Sequence, residues 1–329
     1  MLYKDATMGQ SASVLGASGY VGGELLRLLA GHPALSVARS GGRSTQMGEV
    51  AAVHHHLEGL TLGPLTNLKE AAATPADVCF SCLPSGALDE LLPLVAADVV
   101  IDLAGDHRAA PGWRYGLVEM ARGDIPGSVR IANPGCYPTA VLLALVPFAR
   151  AGLITGPIVV DALSGTSGAG QDVDKAYLFS AVHGSAAAYG STEHRHVPEM
   201  ERGLKSFGGI DTRVSFTPHL VPMARGLLAT CRAGVDRAMT DADALDILAT
   251  AYEDEPFVTV VDSWPTTKAV VGTNRALVSA RVDARNGLLV CSAAIDNLGK
   301  GAAGQALQNA NVVLGLDERA GLEQIAAWP

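Results

Sequence analysis

Apolar positions along this 329-residue chain fall into two textures that change near residue 157. Ahead of that point, short apolar runs alternate with helical spacing. Residues 12–15 read as a buried strand. Val21, Leu25, Leu28 and Leu29 then recur on one helix face until Gly31 and Pro33 end it. Residues 36–38 make a short second strand. Residues 77–83 and 98–103 are apolar strands separated by a helical 87–96. Residues 129–131 read as strand, and 140–149, almost wholly apolar, as a helix. Strand alternating with helix predicts an α/β fold with a doubly wound parallel sheet, whose right-handed crossovers put its ligand loops at the carboxyl edge.

Beyond residue 157 the chain is richer in strand: 158–163, 213–217, 226–232, 277–282 and 288–295. The spacing around Ala284-Arg-Asn-Gly287 is that of a hairpin, so this half is expected to hold a mostly antiparallel sheet. A helix near 297–314, apolar on one side, is expected to return to the first half. Residues 1–10 fit no element.

Composition narrows the class. With 48% hydrophobic and 17% charged residues the chain reads as compact and globular. A net charge of −9 argues against a nucleic-acid or anionic-membrane partner, although a few local arginines suffice for a small anionic substrate. Five cysteines do not resemble a secreted disulfide framework. Residues 1–13 lack an apolar signal core and no apolar run approaches membrane length, so a cytoplasmic location is expected.

Two segments suit a dinucleotide. Gly16-Ala-Ser18-Gly19-Tyr20-Val21-Gly22 lies between a strand and a helix, where glycines let backbone N–H groups approach a pyrophosphate. After the second strand, Ala38-Arg39-Ser40-Gly-Gly-Arg43-Ser44 holds two arginines and two hydroxyls where an acid would select NAD. That composition suits a 2′-phosphate and predicts NADP(H). A plain structural turn and a solvated basic loop are the bland alternatives.

The candidate chemistry centres on Asn133-Pro-Gly-Cys136-Tyr-Pro-Thr-Ala140. Pro134 and Gly135 force a turn, and Pro138 suits a helix start. A thiol there faces the open N–H groups and positive dipole end of a helix, which favour the nucleophilic thiolate; a buried structural cysteine is the alternative. Ser191-Thr-Glu-His194-Arg-His196-Val-Pro198-Glu brings two histidines to a helix entry. No third metal ligand is evident, so no metal is expected, and one histidine fits better as acid–base partner of Cys136. The other reads equally as a hydrogen-bonded structural residue. Ser164-Gly165-Thr-Ser-Gly-Ala-Gly170 looks like a loop that wraps a ligand, with a plain flexible loop as the alternative. His54-His55-His56 reads as a surface loop, and Cys79-x-x-Cys82 as a buried, inert pair.

Taken together, these motifs resemble the N-acetyl-γ-glutamyl-phosphate reductases of arginine biosynthesis, relatives of the aspartate-semialdehyde dehydrogenases. The resemblance runs from GASGYVG at 16–22 through DLAGDHR at 102–108, NPGCYPTA, SGTSGAG and EHRHVPE to AIDNLGKGAAGQA at 294–306. It implies a Rossmann-type dinucleotide domain over 1–136, with 297–329 packing back on it. A glyceraldehyde-3-phosphate-dehydrogenase-like substrate and dimerisation domain would span 137–296 and pair subunits as a homodimer or homotetramer. By the same resemblance Cys136 is the acylated nucleophile, His194 the acid–base residue and Arg108 the partner of the substrate phosphate. Asn133 and His196 fall on the substrate side, Asn297 near the nicotinamide, and Leu83 and Pro84 beside its ribose. The implied activity is NADPH-dependent reduction of an acyl phosphate to an aldehyde. Two departures stand out: His107 replaces an aromatic residue beside Arg108, and Val118 replaces a proline in Tyr115-Gly-Leu-Val118-Glu119. Both are expected on the substrate side. They leave room for a carrier-protein-linked or otherwise modified glutamyl or aminoadipyl phosphate as substrate. A sensor that binds NADPH without catalysis is the alternative from a different class.

Overall fold

A computed structural model describes residues 9–42, 48–171, 174–235 and 239–328 of the chain. The chain divides into two compact units, Met1–Pro134 with Ala302–Glu323, and Gly135–Gly301 with Gln324–Pro329. The first junction falls two residues ahead of the expected boundary, and the returning segment starts at 302 rather than 297.

The first unit is built on strands β1 (Gln10–Leu15), β2 (Leu35–Gly42), β3 (Gly48–Glu49), β4 (Pro64–Asn67), β5 (Ala76–Ser81), β6 (Ala97–Asp102), β7 (Arg114–Tyr115) and β8 (Arg130–Ala132). They form one sheet in the order β3-β4-β2-β1-β5-β6-β8-β7, parallel throughout except between β3 and β4. Ala12, Val14 and Leu15 of β1 are fully buried, the continuous apolar pattern of a strand covered on both faces. Helix α1 (Tyr20–Ala30) buries Leu25, Leu26, Leu28 and Leu29. Helix α2 (Leu68–Ala73) is capped by the Asn67 side chain on Glu70 N–H, and α3 (Val118–Ala121) is a single turn.

Two elements depart from expectation. Residues 87–96 form turns and one 3₁₀ segment, Leu92–Leu94, instead of a helix. Pro93 has no N–H to donate to Asp89, and bonds from residue i+3 to residue i, such as Leu91 N–H to Leu88 O, take over. Strand β2 runs on to Gly42 because Ser40, Gly41 and Gly42 pair with β4, a strand that the hydrophobic pattern does not reveal.

The second unit contains helix α4 (Cys136–Arg150), strand β9 (Ile154–Ser164), helix α5 (Phe179–Val182), strand β10 (Ala187–Ala188), helix α6 (Val197–Gly208), strands β11 (Val214–Leu220) and β12 (Leu227–Val235), helix α7 (Asp241–Ala251), and strands β13 (Val258–Val260), β14 (Ala276–Asp283) and β15 (Leu288–Ile295). Its sheet runs β10-β11-β9-β12-β15-β14-β13. As expected, it is mostly antiparallel; only β9–β11 and β13–β14 are parallel. Every residue of α4 from Tyr137 to Ala149 is buried, and the helix packs on α6 and across β12 and β15. Along β9, Ile158, Val160 and Ala162 are buried, whereas Val159 and Leu163 are 41% and 37% exposed. On that open face Asp161 pairs with Arg232 of β12 at 2.8 Å. The last helix, α8 (Gly304–Val313), follows a π-turn at Gly299–Ala303, belongs to the first unit and packs on α1, α3 and β6.

Helix α4 tolerates an internal proline through one side chain. Pro147 cannot donate to the carbonyl of Leu143, one turn back. The Tyr252 hydroxyl donates to that carbonyl at 2.5 Å, inside the core. Tyr252→Phe should therefore cost ~1–3 kcal/mol of stability in urea unfolding, the penalty of an unpaired buried carbonyl. Adding Pro147→Ala to Tyr252→Phe restores a backbone donor and should recover part of that loss; a double variant weaker than Tyr252→Phe alone would refute this account.

Candidate active site

In the first unit the glycine loop is fixed by close approach. Gly16 has φ +78°, and a Cβ on it would stand 2.6 Å from the Cys82 carbonyl oxygen. A Cβ on Gly22 would meet the Gly16 carbonyl oxygen at 2.4 Å, so only glycine lets α1 begin this close to the loop. The N-cap is Gly19, no side chain caps it, and no acid lies in the first turn of α1. The first N–H groups of the helix are thus left for an anion, as a dinucleotide pyrophosphate requires. Ser18 is buried beneath the loop and Tyr20 is half-exposed at its rim. Leu83 is buried and Pro84 exposed just past β5. His54 braces the loop from below: its Nε2 lies 2.8 Å from the Ala17 carbonyl and its ring packs on Gly23. Burial holds its pKa below the usual 6.5. The expected surface loop at 54–56 is corrected for this residue, which is 7% exposed.

Arg39 is partly exposed, with Glu70 3.8 Å from its guanidinium. Ser40 is fully enclosed with its hydroxyl inside, because β2 continues as strand through that position. Its expected contact with a cofactor phosphate is therefore corrected. Arg43 and Ser44 lie outside the described residues.

In the second unit Cys136 is the first residue of α4, with Gly135 as N-cap and no side chain capping the helix. The turn before it is tied to α6: Gly135 N–H donates to Glu199 Oε1 at 2.8 Å, and Glu199 is buried. Gly301 packs against the nucleophile; a Cβ there would come within 2.8 Å of Cys136 Cβ. His194 stands edge-on to the rings of Tyr137, Phe216 and Tyr189 at 5.6, 5.2 and 6.0 Å between centroids. The Tyr137 and Tyr189 hydroxyls share a 2.8 Å hydrogen bond. Burial in this box, and secondarily the charge of Arg195, lowers the His194 pKa from 6.5 and favours the neutral imidazole, the form able to take a proton. His196 is buried at the N-cap of α6.

The segment that carries Asn297 is fixed by a fully buried carboxylate. Asp296 accepts from Arg225 Nε and Nη2 at 2.9 and 2.8 Å, and from the N–H groups of Gly272, Leu298 and Gly299 at 2.5, 2.8 and 3.2 Å. Next to it, Asn297 accepts from Gly226 N–H at 2.8 Å and donates to Ser167 Oγ at 2.9 Å. Thr166 and Ser167 N–H groups reach the carbonyls of Met223 and Ala224, so 165–168 lies along 223–226. Ser164 is buried at the head of this loop, and Gly165 backs onto Ala224 and Arg225, where a Cβ would come within about 3 Å of both.

Asn133 is corrected. It is fully buried in the first unit, donating to Ala302 O at 3.1 Å and accepting from Asn309 Nδ2 at 3.0 Å. That amide clamps α8 and is not offered to substrate. Arg108 is aimed by two backbone carbonyls: Nε donates to Asn133 O at 2.9 Å and Nη2 to Leu103 O at 3.0 Å. The departures at His107 and Val118, expected on the substrate side, are both buried, at 7% and 0% exposure. Sequence reasoning missed Glu199, Asp296 and Arg225; for Glu199 the only signal was its place in HRHVPE. Burial raises Cys79 to about 11 and Cys231 to about 12, and holds Cys82 and Cys291 well above the usual thiol value, which disfavours the nucleophilic thiolate at all four. Among the described residues no group of three or more His, Cys, Asp or Glu could hold a metal ion.

Comparison with known proteins bears on both units. Residues 11–128 match the semialdehyde dehydrogenase NAD binding domain, and 136–297 the semialdehyde dehydrogenase dimerisation domain. The N-acetyl-gamma-glutamyl-phosphate reductase of Acidothermus cellulolyticus is 44% identical over 98% of this chain and 100% of its own. That of Paenarthrobacter aurescens is 43% identical over 95% of this chain and 97% of its own. Among solved structures, aspartate semialdehyde dehydrogenase II of Vibrio cholerae superposes with a TM-score of 0.77 at 16% identity, covering 94% of this chain and 99% of that one. The Candida albicans aspartate semialdehyde dehydrogenase with NADP gives 0.67, also at 16%, over 92% and 98%.

The box around His194 sets a direct expectation. Followed by NMR, its imidazole should titrate with a midpoint below 6.5. Arg195→Ala removes a neighbouring positive charge that disfavours the protonated ring, so the midpoint should move upward. A midpoint above 6.5 in the wild-type chain, or a downward move in the variant, would contradict the assignment.

Proposed function

The chain belongs to the N-acetyl-gamma-glutamyl-phosphate reductase family of semialdehyde dehydrogenases, and we propose that it reduces N-acetyl-γ-glutamyl phosphate to N-acetylglutamate 5-semialdehyde with NADPH, releasing phosphate, in arginine biosynthesis. The observation that carries this reading is Cys136 at the first position of α4, its turn anchored by Glu199, with His194 packed on the adjacent Tyr137. Anionic sulfur there is stabilised by the open N–H groups of the helix.

In the mechanism Cys136 thiolate attacks the acyl carbon; a C–S bond forms, the carbon–oxygen bond to phosphorus breaks, and inorganic phosphate leaves. Splitting the reaction at a thioester replaces one difficult displacement by two easier steps. Arg108, held by the carbonyls of Asn133 and Leu103, neutralises the departing phosphate. The glycine loop at 16–22 and the open first turn of α1 fit a dinucleotide, which supplies the hydride when bound. His194 lends a proton to the carbonyl oxygen as the thioester is reduced to a hemithioacetal on Cys136, and takes it back as the C–S bond breaks, which frees the aldehyde and restores the thiolate. The carrier-linked substrate loses its support, since neither His107 nor Val118 reaches the surface.

The matched dimerisation domain and the open β9 face support a homodimer or homotetramer paired through that face. A net charge of −9 supports an enzyme without a nucleic-acid or anionic-membrane partner. No helix among the described residues is long and apolar enough to cross a membrane.

The reaction run backward provides the test. N-acetylglutamate semialdehyde, phosphate and NADP+ should give rapid, phosphate-dependent reduction of the nicotinamide, and Cys136→Ser should abolish it while leaving NADPH affinity nearly unchanged. Substantial turnover by Cys136→Ser would sink the mechanism. Cofactor choice is tested at Arg39, whose charge is partly screened by solvent and by Glu70. Arg39→Ala should weaken NADPH binding about tenfold, the low end for a charge-assisted phosphate contact, and barely change NADH. Equal losses for both cofactors would place Arg39 outside the 2′-phosphate site.

A further inference from the structure

A lysine is almost never sealed from water, because protein groups must then replace the hydration shell of its ammonium. Lys300 is fully buried, and the mechanism does not use it. It is the one long side chain of the π-turn Gly299–Ala303, whose other members are glycine and alanine. The turn is wide because Gly301 N–H reaches back to Asp296 O, five positions earlier, at 2.9 Å. A Cβ on Gly299 would run into the Thr273 carbonyl oxygen, and one on Gly301 would stand 2.8 Å from Cys136 Cβ. The backbone on either side of Lys300 is thus pressed between Thr273 and the nucleophile.

Lys300 Nζ lies 5.8 Å over the ring of Phe257, itself buried. Phe257 closes a turn in which Glu255 N–H donates to Tyr252 O at 3.1 Å, and its own carbonyl accepts from Ala276 N–H at 2.7 Å. At the head of that turn the Tyr252 hydroxyl donates to Leu143 O of α4. Leu143 lies about two turns along the helix that Cys136 begins. The contacts close a circuit that runs from Cys136 along α4 to Tyr252, Phe257, Lys300 and Gly301, and back to Cys136. Leu143, Tyr252, Phe257, Lys300 and Gly301 are all buried, so a change at one link is passed on to the next.

We propose that Lys300 is a positioning residue for Cys136: seated on Phe257, it holds the π-turn against the start of α4 and so fixes where the thiol stands. The inference rests on the reading of Cys136 as nucleophile and gives a role to a buried charge outside the reacting groups. A thiol displaced from the first turn of α4 loses the open N–H groups that favour its thiolate. Loss of the clamp therefore reads out as a less acidic and slower thiol.

The test labels Cys136 with iodoacetamide across pH, in the full chain without substrate, and follows turnover separately. Lys300→Met keeps the length of the side chain and loses its charge. Labelling at neutral pH should slow about tenfold to hundredfold, and kcat should fall in the same range while the KM for phosphate holds. The pH midpoint of labelling should rise. Lys300→Arg keeps a cation over the ring and should recover most of the loss. Phe257→Leu removes the ring and should slow labelling in the same direction. Because the two groups form one link, the double variant should be no slower than Lys300→Met alone. A merely structural role would lower the melting temperature and leave the labelling midpoint where it is. An unmoved midpoint in Lys300→Met, no recovery in Lys300→Arg, or additive losses in the double variant overturns the proposal. Should Lys300→Met fail to fold, Phe257→Leu decides, and an unmoved labelling midpoint there refutes the proposal. A wild-type Cys136 that iodoacetamide does not label overturns it as well. A wild-type chain that labels at Cys136 but shows no phosphate-dependent NADP+ reduction overturns the acyl-phosphate reading alone, and the labelling of the variants still decides this inference.

Discussion

A carboxylate sealed from water needs protein donors in place of its hydration shell, and Asp296 is so placed. Its donors come from Arg225, Gly272, Leu298 and Gly299, four points on three separate stretches of chain. Satisfying one charge therefore fixes three loops at once. Asn297 follows directly and pins Gly226 and Ser167, and Gly301, whose N–H donates to Asp296 O, lies against Cys136. The nucleophile, the wrapping loop and the strand entry at β12 take their positions from this carboxylate. Glu199 plays the matching part on the other side of α4, holding Gly135 from α6.

Elements whose signal is local were legible in the sequence. Strand β15 coincides with the apolar run at 288–295, and the turn at Ala284-Arg-Asn-Gly287 closes its hairpin with Gly287 at φ +64°. The strand–glycine loop–helix unit at the start of the first sheet is read from sequence because steric need and composition coincide there. The segment at 87–96 has helix-forming composition, but Pro93 ends any such helix, and propensity lost to that missing donor. Strand β4 carries only four residues, two of them buried, and exists through its pairing with β2. No periodicity reports a strand that short.

At the candidate site, Cys136 and His194 stand out as candidates in the sequence because residue type and local context name their chemistry. Ser40, Asn133 and His54 were misread for one reason. Their roles depend on partners 26 to 176 positions away, or on the strand they extend: Thr66 donating to Ser40 O, Asn309 to Asn133, Ala17 beneath His54. A side chain's direction in a loop is decided by such partners. Tyr252 over Leu143 is the same case, 109 residues apart, and makes good a backbone defect that sequence shows only as a proline in a helix.

The open side of β9 has a thermodynamic corollary. Val159 and Leu163 expose apolar surface on a sheet whose other side is already filled, and the Asp161–Arg232 pair marks that side with charges of both signs. If self-association covers these residues, folding and assembly become one equilibrium, and mass action enters the melting temperature. The protein would then withstand more heat when concentrated than when dilute. Dilution alone, with no chemical change, would weaken it by loosening a strand that leads straight into the loop beyond Ser164.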